Sequence, residues 1–229
     1  MQVTMKDVED IIRDDLSSDF LSSLSQDLAW RYVEEFEKWQ AQPNLTDELR
    51  NEIFLKQRGL CAVRAMSRSA SRHGIPYEFR RLSCNGQEKL LVKCGRVILI
   101  QQPILSHWAA PDPADYKRQL ADLHGFVRQL ELDLGDQPGR IRDWSGCVLG
   151  VILHGPAGLK FNIQHKQLGN LLLGVPDADF SGWVMRLDLH EIALYGRSSA
   201  QPAATKIPDS RQPDNVVITP RRRATKKSA

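Results

Sequence analysis

The spacing of the apolar residues changes near Gly74, and this change constrains the fold more than any other feature of the chain. Across residues 19–40 the apolar side chains recur every three or four positions, which is the period of an amphipathic helix. Beyond Gly74, two short runs at residues 77–84 and 87–93 flank Asn85-Gly86. This dipeptide supplies the two positive φ angles of a type I′ turn, so the sequence predicts a β-hairpin.

Three helices are expected before the hairpin. A short first helix covers residues 8–16, and Ser17, Ser18 and Asp19 follow it as N-cap residues for the second. Their side-chain oxygens accept the amide hydrogens that lack a partner in a first helical turn. Thr46 is placed to cap the third helix in the same way. We expect that helix to run towards His73 and to end before Gly74.

The second half of the chain predicts one more meander strand, a long helix and further strands. Residues 96–101 are an apolar run that completes an antiparallel meander. Asp112-Pro113 opens an amphipathic helix whose apolar residues recur as far as Leu134. A second antiparallel group is expected at residues 147–153, 159–164, 171–175 and 183–189, with residues 155–158 as the first turn. The chain is therefore α+β, and the sequence leaves open whether one sheet or two results.

Composition and charge divide the chain into three regions. Residues 1–42 form an acidic amphipathic helical region, residues 43–197 the α+β core domain, and residues 198–229 a basic tail. The tail is rich in proline and small polar residues, from which no core forms, so we expect it to be disordered. Over the whole chain, hydrophobic residues make up 41% and charged residues 26%, values typical of a soluble globular protein.

Several classes of protein are excluded by the sequence patterns. No stretch approaches the ~18 apolar residues that a membrane span needs, and residues 1–10 lack the pattern of a secretory signal. The four cysteines have no close-paired spacing, which argues against a zinc knuckle or a disulfide framework. The glycines of residues 146–158 do not form a phosphate-cradling loop. We therefore expect a cytoplasmic protein with reduced thiols, no cofactor and no bound metal.

The net charge of +3 conceals large local imbalances. Residues 1–58 hold 7 basic and 13 acidic residues, whereas residues 59–110 hold 8 basic and 2 acidic ones. Residues 201–229 hold 7 basic and 2 acidic residues. An anionic partner is therefore expected at the 59–110 segment and at the tail.

The basic segment supplies candidate residues for nucleic-acid binding. Arg64, Arg68 and Arg72 are four positions apart, so they lie along one face of the third helix. If this helix packs beside the hairpin, the guanidinium groups converge and suit phosphate oxygens. The predicted phosphate contacts are Arg64, Arg68, Arg72, Arg80, Arg81, Lys89, Lys93 and Arg96, with Arg221, Arg222, Arg223, Lys226 and Lys227 adding attraction from the tail. The alternative is a solvated helix face with ion pairs to the acidic N-terminal helices.

Histidines are the candidates for acid–base chemistry. His154 and His165 flank the predicted turn at opposite strand ends, so a hairpin would bring them together, and His190 could approach from another strand. Such a cluster could bind a metal or transfer protons. The chain has neither an HExxH helix nor a close Cys/His pairing, which favours structural or surface roles for these side chains.

Arg68 and His73 have four residues between them, a pairing that resembles the short arginine-to-histidine signature of HEPN-type ribonucleases. The resemblance implies that the pair would activate a ribose hydroxyl and stabilise the phosphate. It covers six residues of 229, and that family is helical, whereas this sequence turns to strands immediately after His73. A helix-end role for His73 is the interpretation we favour.

Three functional hypotheses follow from these observations. The leading one is a non-catalytic, intracellular protein that contacts the phosphate backbone of nucleic acid. The second is an enzyme acting on nucleic acid or on a small anionic substrate, with His73, His154, His165 or His190 as the acid or base. The third is an interaction module or homodimer that uses residues 1–42.

Overall fold

The N-terminal third of the chain is helical, as the apolar spacing predicts. The structure is a computed structural model that describes residues 5–81, 86–122, 146–158 and 166–195. Helix α1 spans Met5–Asp15, α2 spans Ser18–Gln40 and α3 spans Asp47–Arg72. The Ser17 hydroxyl caps α2 and the Thr46 hydroxyl caps α3, each accepting a backbone amide hydrogen of the first turn.

The end of α3 confirms the predicted boundary. His73 is the C-cap residue, and Gly74 follows it at a φ of 64°. This left-handed conformation ends a helix and costs glycine little, because glycine has no Cβ.

The remaining elements build one sheet with two further helices. Strands β1 Tyr77–Arg81, β2 Glu88–Cys94 and β3 Val97–Pro103 come before helix α4, which spans Asp115–Asp122. Strands β4 Val148–Pro156, β5 Leu168–Pro176 and β6 Trp183–Asp188 follow, and helix α5 spans Leu189–Tyr195. The six strands lie in chain order, from β1 to β6.

The α+β class is confirmed, and so is the antiparallel pairing of β1 with β2. The register runs from Tyr77↔Val92 to Arg81↔Glu88, and Gly86 has a positive φ. Residues 82–85, and with them Asn85 of the predicted type I′ turn, lie outside the described residues. The two expected antiparallel groups form a single sheet because β3 and β4 pair in parallel. A parallel pair needs a long crossover connection, and here that connection contains α4.

The sheet separates two hydrophobic cores because successive side chains of a strand point to opposite faces. One core packs α1, α2, α3 and α5 on the sheet, with Leu90, Val92 and Leu173 among its sheet residues. The other core covers the opposite face, where Leu91 and Leu172 meet Phe180. Residues of both the predicted helical region and the predicted core domain therefore contribute to the first core.

Three local expectations differ from the structure. Gly155 and Pro156 were expected in a turn, but β4 continues through them to pair with β5. Gly155 lets the backbone of Ile104 lie close to β4 at this point, since a Cβ on Gly155 would lie 2.4 Å from the carbonyl oxygen of Ile104. Helix α4 begins at Asp115 rather than after Asp112. Helix α5 was not predicted, although Leu189 and Ile192 give it a buried face.

Other predictions fall outside the described residues. These are the continuation of α4 from residue 123 to 134, the strand at 159–164, and the basic tail at 198–229. Among the helices that the structure does describe, none has the length and apolar character to cross a membrane.

Candidate nucleic-acid interface

Three of the arginines of α3, Arg64, Arg68 and Arg72, lie on one exposed stripe of the helix. The carboxylate of Asp27, on α2, lies 3.9 Å from Nε of Arg68 and 3.5 Å from Nη2 of Arg72. Arg72 also donates to the hydroxyl of Ser23. The side chains of Arg68 and Arg72 remain 53% and 46% exposed, whereas that of Asp27 is 15% exposed. One carboxylate therefore faces two solvated guanidinium groups.

Arg64 extends this stripe by one helical turn. Its side chain is exposed, and within the described ranges its guanidinium takes part in no ion pair or hydrogen bond. Arg64 lies close enough to Cys61 to affect it electrostatically. Burial raises the pKa of that thiol to about 11, and the nearby guanidinium opposes the increase. We call Arg64, Arg68 and Arg72 the α3 arginine stripe.

The hairpin does not add all of its basic residues to the stripe, because the pleat of the strands divides them. Arg80 and Lys89 are directly opposite each other in the β1–β2 register, on the sheet face that turns away from α3. Arg80 pairs there with Glu78 at 2.6 Å, and the ammonium of Lys89 lies over the ring of Tyr116 at 5.7 Å. Lys93 shares this face with Lys89, four positions away in β2.

Arg81 and Arg96 have other surroundings. Arg81 is exposed on the same sheet face as α3, and its Nε donates to the carbonyl oxygen of Gly86 at 3.1 Å. Arg96 lies in the β2–β3 turn, where its Nε and its backbone amide both donate to Asp15 at 2.8 Å. This contact fastens the end of α1 to the sheet, so Arg96 pairs with the acidic N-terminal region as the alternative interpretation expects.

The predicted basic surface is thus divided into separate places. The structure brings together the α3 arginine stripe, keeps Arg81 on that side of the sheet, and puts Arg80, Lys89 and Lys93 on the other side. Residues 221–227 lie outside the described residues.

A groove of about 780 Å³ lies where β2 and β3 diverge. The β2–β3 register covers only Val92↔Leu99 to Cys94↔Val97, and the groove opens beyond it between α3 and the start of α4. Its charged groups compensate one another. Lys117 pairs with Asp112 at 3.1 Å, and Arg118 pairs with Asp115 at 3.5 Å. The groove therefore adds little unpaired positive charge to the surface.

His154 lies in a buried polar cluster between the helices and the sheet. Its Nδ1 is 2.7 Å from the hydroxyl of Tyr32, and its Nε2 is 3.0 Å from Oε1 of Gln101. An amide oxygen only accepts, so Nε2 carries the proton and Nδ1 accepts from the Tyr32 hydroxyl. Both nitrogens of a fully buried imidazole are therefore satisfied.

Burial sets the protonation of this cluster. It lowers the pKa of His154 to about 3, and the charge of Arg58 lowers it further in the same direction. Burial likewise raises the pKa of the Tyr32 hydroxyl far above its usual value. Arg58 is anchored by a 2.7 Å hydrogen bond from Nη1 to the carbonyl oxygen of Ile104. His154 is neutral at ordinary pH, which suits a structural role.

The other candidate histidines lie apart from His154. His73 ends α3, and its ring packs edge-on against Phe20 at 6.4 Å, while Arg68 is directed at Asp27. His190 is the second residue of α5, and its Nδ1 lies 3.3 Å from the hydroxyl of Ser25. The structure therefore does not bring His154 and His190 together, and His165 lies outside the described residues. In the described parts of the chain, no group of three His, Cys, Asp or Glu residues could hold a metal ion.

The sequence gives no signal for the partners of His154. Tyr32 belongs to the apolar stripe of α2, and 122 residues separate it from His154. No local signal links two such positions. Comparison of the chain with protein families, with curated proteins and with solved structures found no match.

Proposed function

We propose that this protein binds nucleic acid by contacting phosphates with the α3 arginine stripe. The observation that carries the proposal is the charge imbalance on this helix face, where Arg68 and Arg72 share the carboxylate of Asp27 and the exposed Arg64 has no ion pair among the described residues. Guanidinium groups on successive turns of a helix are spaced about 6 Å apart along its axis. Each strand of a duplex carries one phosphate about every 3.4 Å of the axis, so guanidinium groups spread over about 12 Å of α3 can reach more than one phosphate.

The proposal assigns no base-reading role to these residues. Phosphate contacts fix the position of a protein on nucleic acid and give affinity, whereas base contacts give sequence preference. The role of the hairpin is correspondingly smaller, because Arg80 is paired with Glu78 and Lys89 lies against Tyr116. A cytoplasmic location and added attraction from the basic tail remain part of this proposal.

The geometry gives less support to the enzyme hypothesis. His154 is buried and held neutral, and it lies away from His190. The interaction hypothesis for residues 1–42 is also weaker, because the apolar face of α2 is occupied by the core of this same chain.

The test compares two double variants that remove the same charge. Arg64→Ala with Arg68→Ala removes two guanidinium groups of the stripe. Arg13→Ala with Lys38→Ala is the matched control, since both residues are exposed and each pairs with a glutamate of its own helix. We expect the first variant to bind labelled duplex DNA and RNA more weakly, and the control to bind like the unmodified chain. Equal affinity of the two variants would refute the proposal.

A further inference from the structure

The most exposed aromatic side chain of the described residues belongs to a firmly held loop. Trp108 is 81% exposed, in the segment that follows β3. Hydrogen bonds hold this segment on both sides of the indole. The amide of Ile104 donates to the carbonyl oxygen of His154 at 2.8 Å, and Nε1 of Trp183 donates to that of Ala109 at 2.8 Å. The indole is therefore presented to solvent by a fixed backbone.

A cation supports one side of this indole. The guanidinium of Arg186, on β6, lies 5.6 Å from the centre of the Trp108 ring. His107 packs edge-on against the same ring at 5.0 Å, and its Nδ1 lies 3.3 Å from the side-chain oxygen of Asn170. Trp108 is thus the exposed surface of a small assembly with a charged group and polar groups beside it. We call Trp108, Arg186, His107 and Asn170 the Trp108 platform.

Arg186 has hydrogen-bonding capacity that the protein does not use. Its Nε and Nη2 are out of contact with water, and neither has an acceptor in the part of the chain that the structure describes. Donors in this state are costly, because the group has lost its water without gaining a partner. Burial also lowers the pKa of this guanidinium. Among the described residues no carboxylate forms an ion pair with this guanidinium, so its positive charge is uncompensated beside the exposed indole.

We infer that the Trp108 platform is a second contact site for nucleic acid, where an unpaired base stacks on the indole and the positive charge of Arg186 attracts the adjacent phosphate. This inference rests on the proposed function and adds a preference for single strands to it. Every base has a π face that stacks on an aromatic ring, and a duplex hides those faces inside its own stack.

Two features favour this occupant over an apolar protein surface. A nucleotide supplies both the planar ring that suits an exposed indole and a negative charge for the guanidinium beside it. An apolar surface would cover the indole but would leave the charge of Arg186 without a partner of opposite sign. Unchanged single-strand affinity in Trp108→Ala would overturn this choice of occupant and favour a protein partner.

The experiment measures binding of a labelled single-stranded oligonucleotide and of a labelled duplex at one salt concentration. The variants of the full chain are Trp108→Ala, Trp108→Phe, and Arg64→Ala with Arg68→Ala. We expect Trp108→Ala to weaken single-strand binding by about five- to 150-fold, which is the range for loss of one stacked base. Duplex binding should be unchanged, and Trp108→Phe should retain most of the single-strand affinity. The arginine variant should weaken both.

Each of the other outcomes shows which of the two proposals fails. Unchanged single-strand affinity in Trp108→Ala, with loss in the arginine variant, would overturn the platform and leave the proposed function standing. Equal weakening of single strand and duplex in Trp108→Ala would also overturn it, because stacking of an unpaired base is not available to a duplex. Absence of binding to both nucleic acids by the unmodified chain would overturn both proposals together.

Discussion

Protonation of His154 should destabilise the folded protein in mild acid, by an amount that follows from its burial. The pKa of this imidazole is about 3 in the folded protein, against 6.5 as its ordinary value. A group with a lowered folded-state pKa contributes stability above its unfolded pKa, and this stability is lost as the pH falls from about 6.5 towards 3. Each pH unit in this window costs about 1.4 kcal/mol. At pH 4.5 the loss is therefore about 3 kcal/mol.

A variant separates this effect from that of the carboxylates, which also respond to acid. In His154→Gln the residue no longer titrates, but a shorter amide replaces the imidazole between Tyr32 and Gln101. We expect His154→Gln to be less stable than the unmodified chain at pH 7 by about 1–3 kcal/mol, because buried polar groups lose partners. On going from pH 7 to pH 4.5 this difference should shift by about 3 kcal/mol in favour of His154→Gln, so that it disappears or changes sign.

The assay is urea unfolding of both chains at several pH values between 7 and 4.5, followed by circular dichroism. Proton NMR of His154 is an independent reading, and its resonances should not titrate while the protein stays folded above pH 5. A stability difference that stays constant across this range would refute the reasoning. It would mean that His154 binds its proton equally well in the folded and unfolded chains.

Two further predictions concern the same region. Tyr32→Phe removes the donor to Nδ1 of His154, and we expect a loss of about 1–3 kcal/mol in urea unfolding at pH 7; unchanged stability would show that the buried nitrogen finds another donor. Gly155→Ala places a Cβ 2.4 Å from the carbonyl oxygen of Ile104, and we expect a loss of about 1–3 kcal/mol in the same measurement. Gly59→Ala is its control, because a Cβ there would lie 3.4 Å from the end of a flexible glutamine side chain; equal effects of the two substitutions would contradict the close approach.

The parts of the fold that depend on neighbouring residues could be predicted from the sequence. Ser17 and Thr46 cap their helices, and Gly74 ends α3, because each of these effects involves only a few adjacent residues. The antiparallel pairing of β1 with β2 is local in the same sense, because the two strands follow each other closely in the chain. The parallel pairing of β3 with β4 is not local, because it depends on how a long connection returns to the sheet.

The same distinction between local and non-local features applies to the candidate site. The α3 arginine stripe follows from a spacing of four on a helix, and the structure has it. The separation of Arg80 from Arg81 could also be predicted from the sequence, because adjacent residues of a strand point to opposite faces. The partner of Arg68 and Arg72 could not be predicted from the sequence, since Asp27 lies on a different helix. Trp108 gave no periodic signal, because it lies in a loop.

The most direct measurement for the central claim is the salt dependence of duplex binding, for the full chain and for a version that ends at Arg197. We expect the shorter version to bind, with an affinity that falls as the salt concentration rises. The double substitution Arg64→Ala with Arg68→Ala should reduce the slope of log affinity against log salt by about 1.8, since each phosphate contact contributes about 0.9. The slope of the control Arg13→Ala with Lys38→Ala should equal that of the unmodified chain. An arginine variant with an unchanged slope would contradict phosphate binding by the α3 arginine stripe, and so would a shorter version that does not bind.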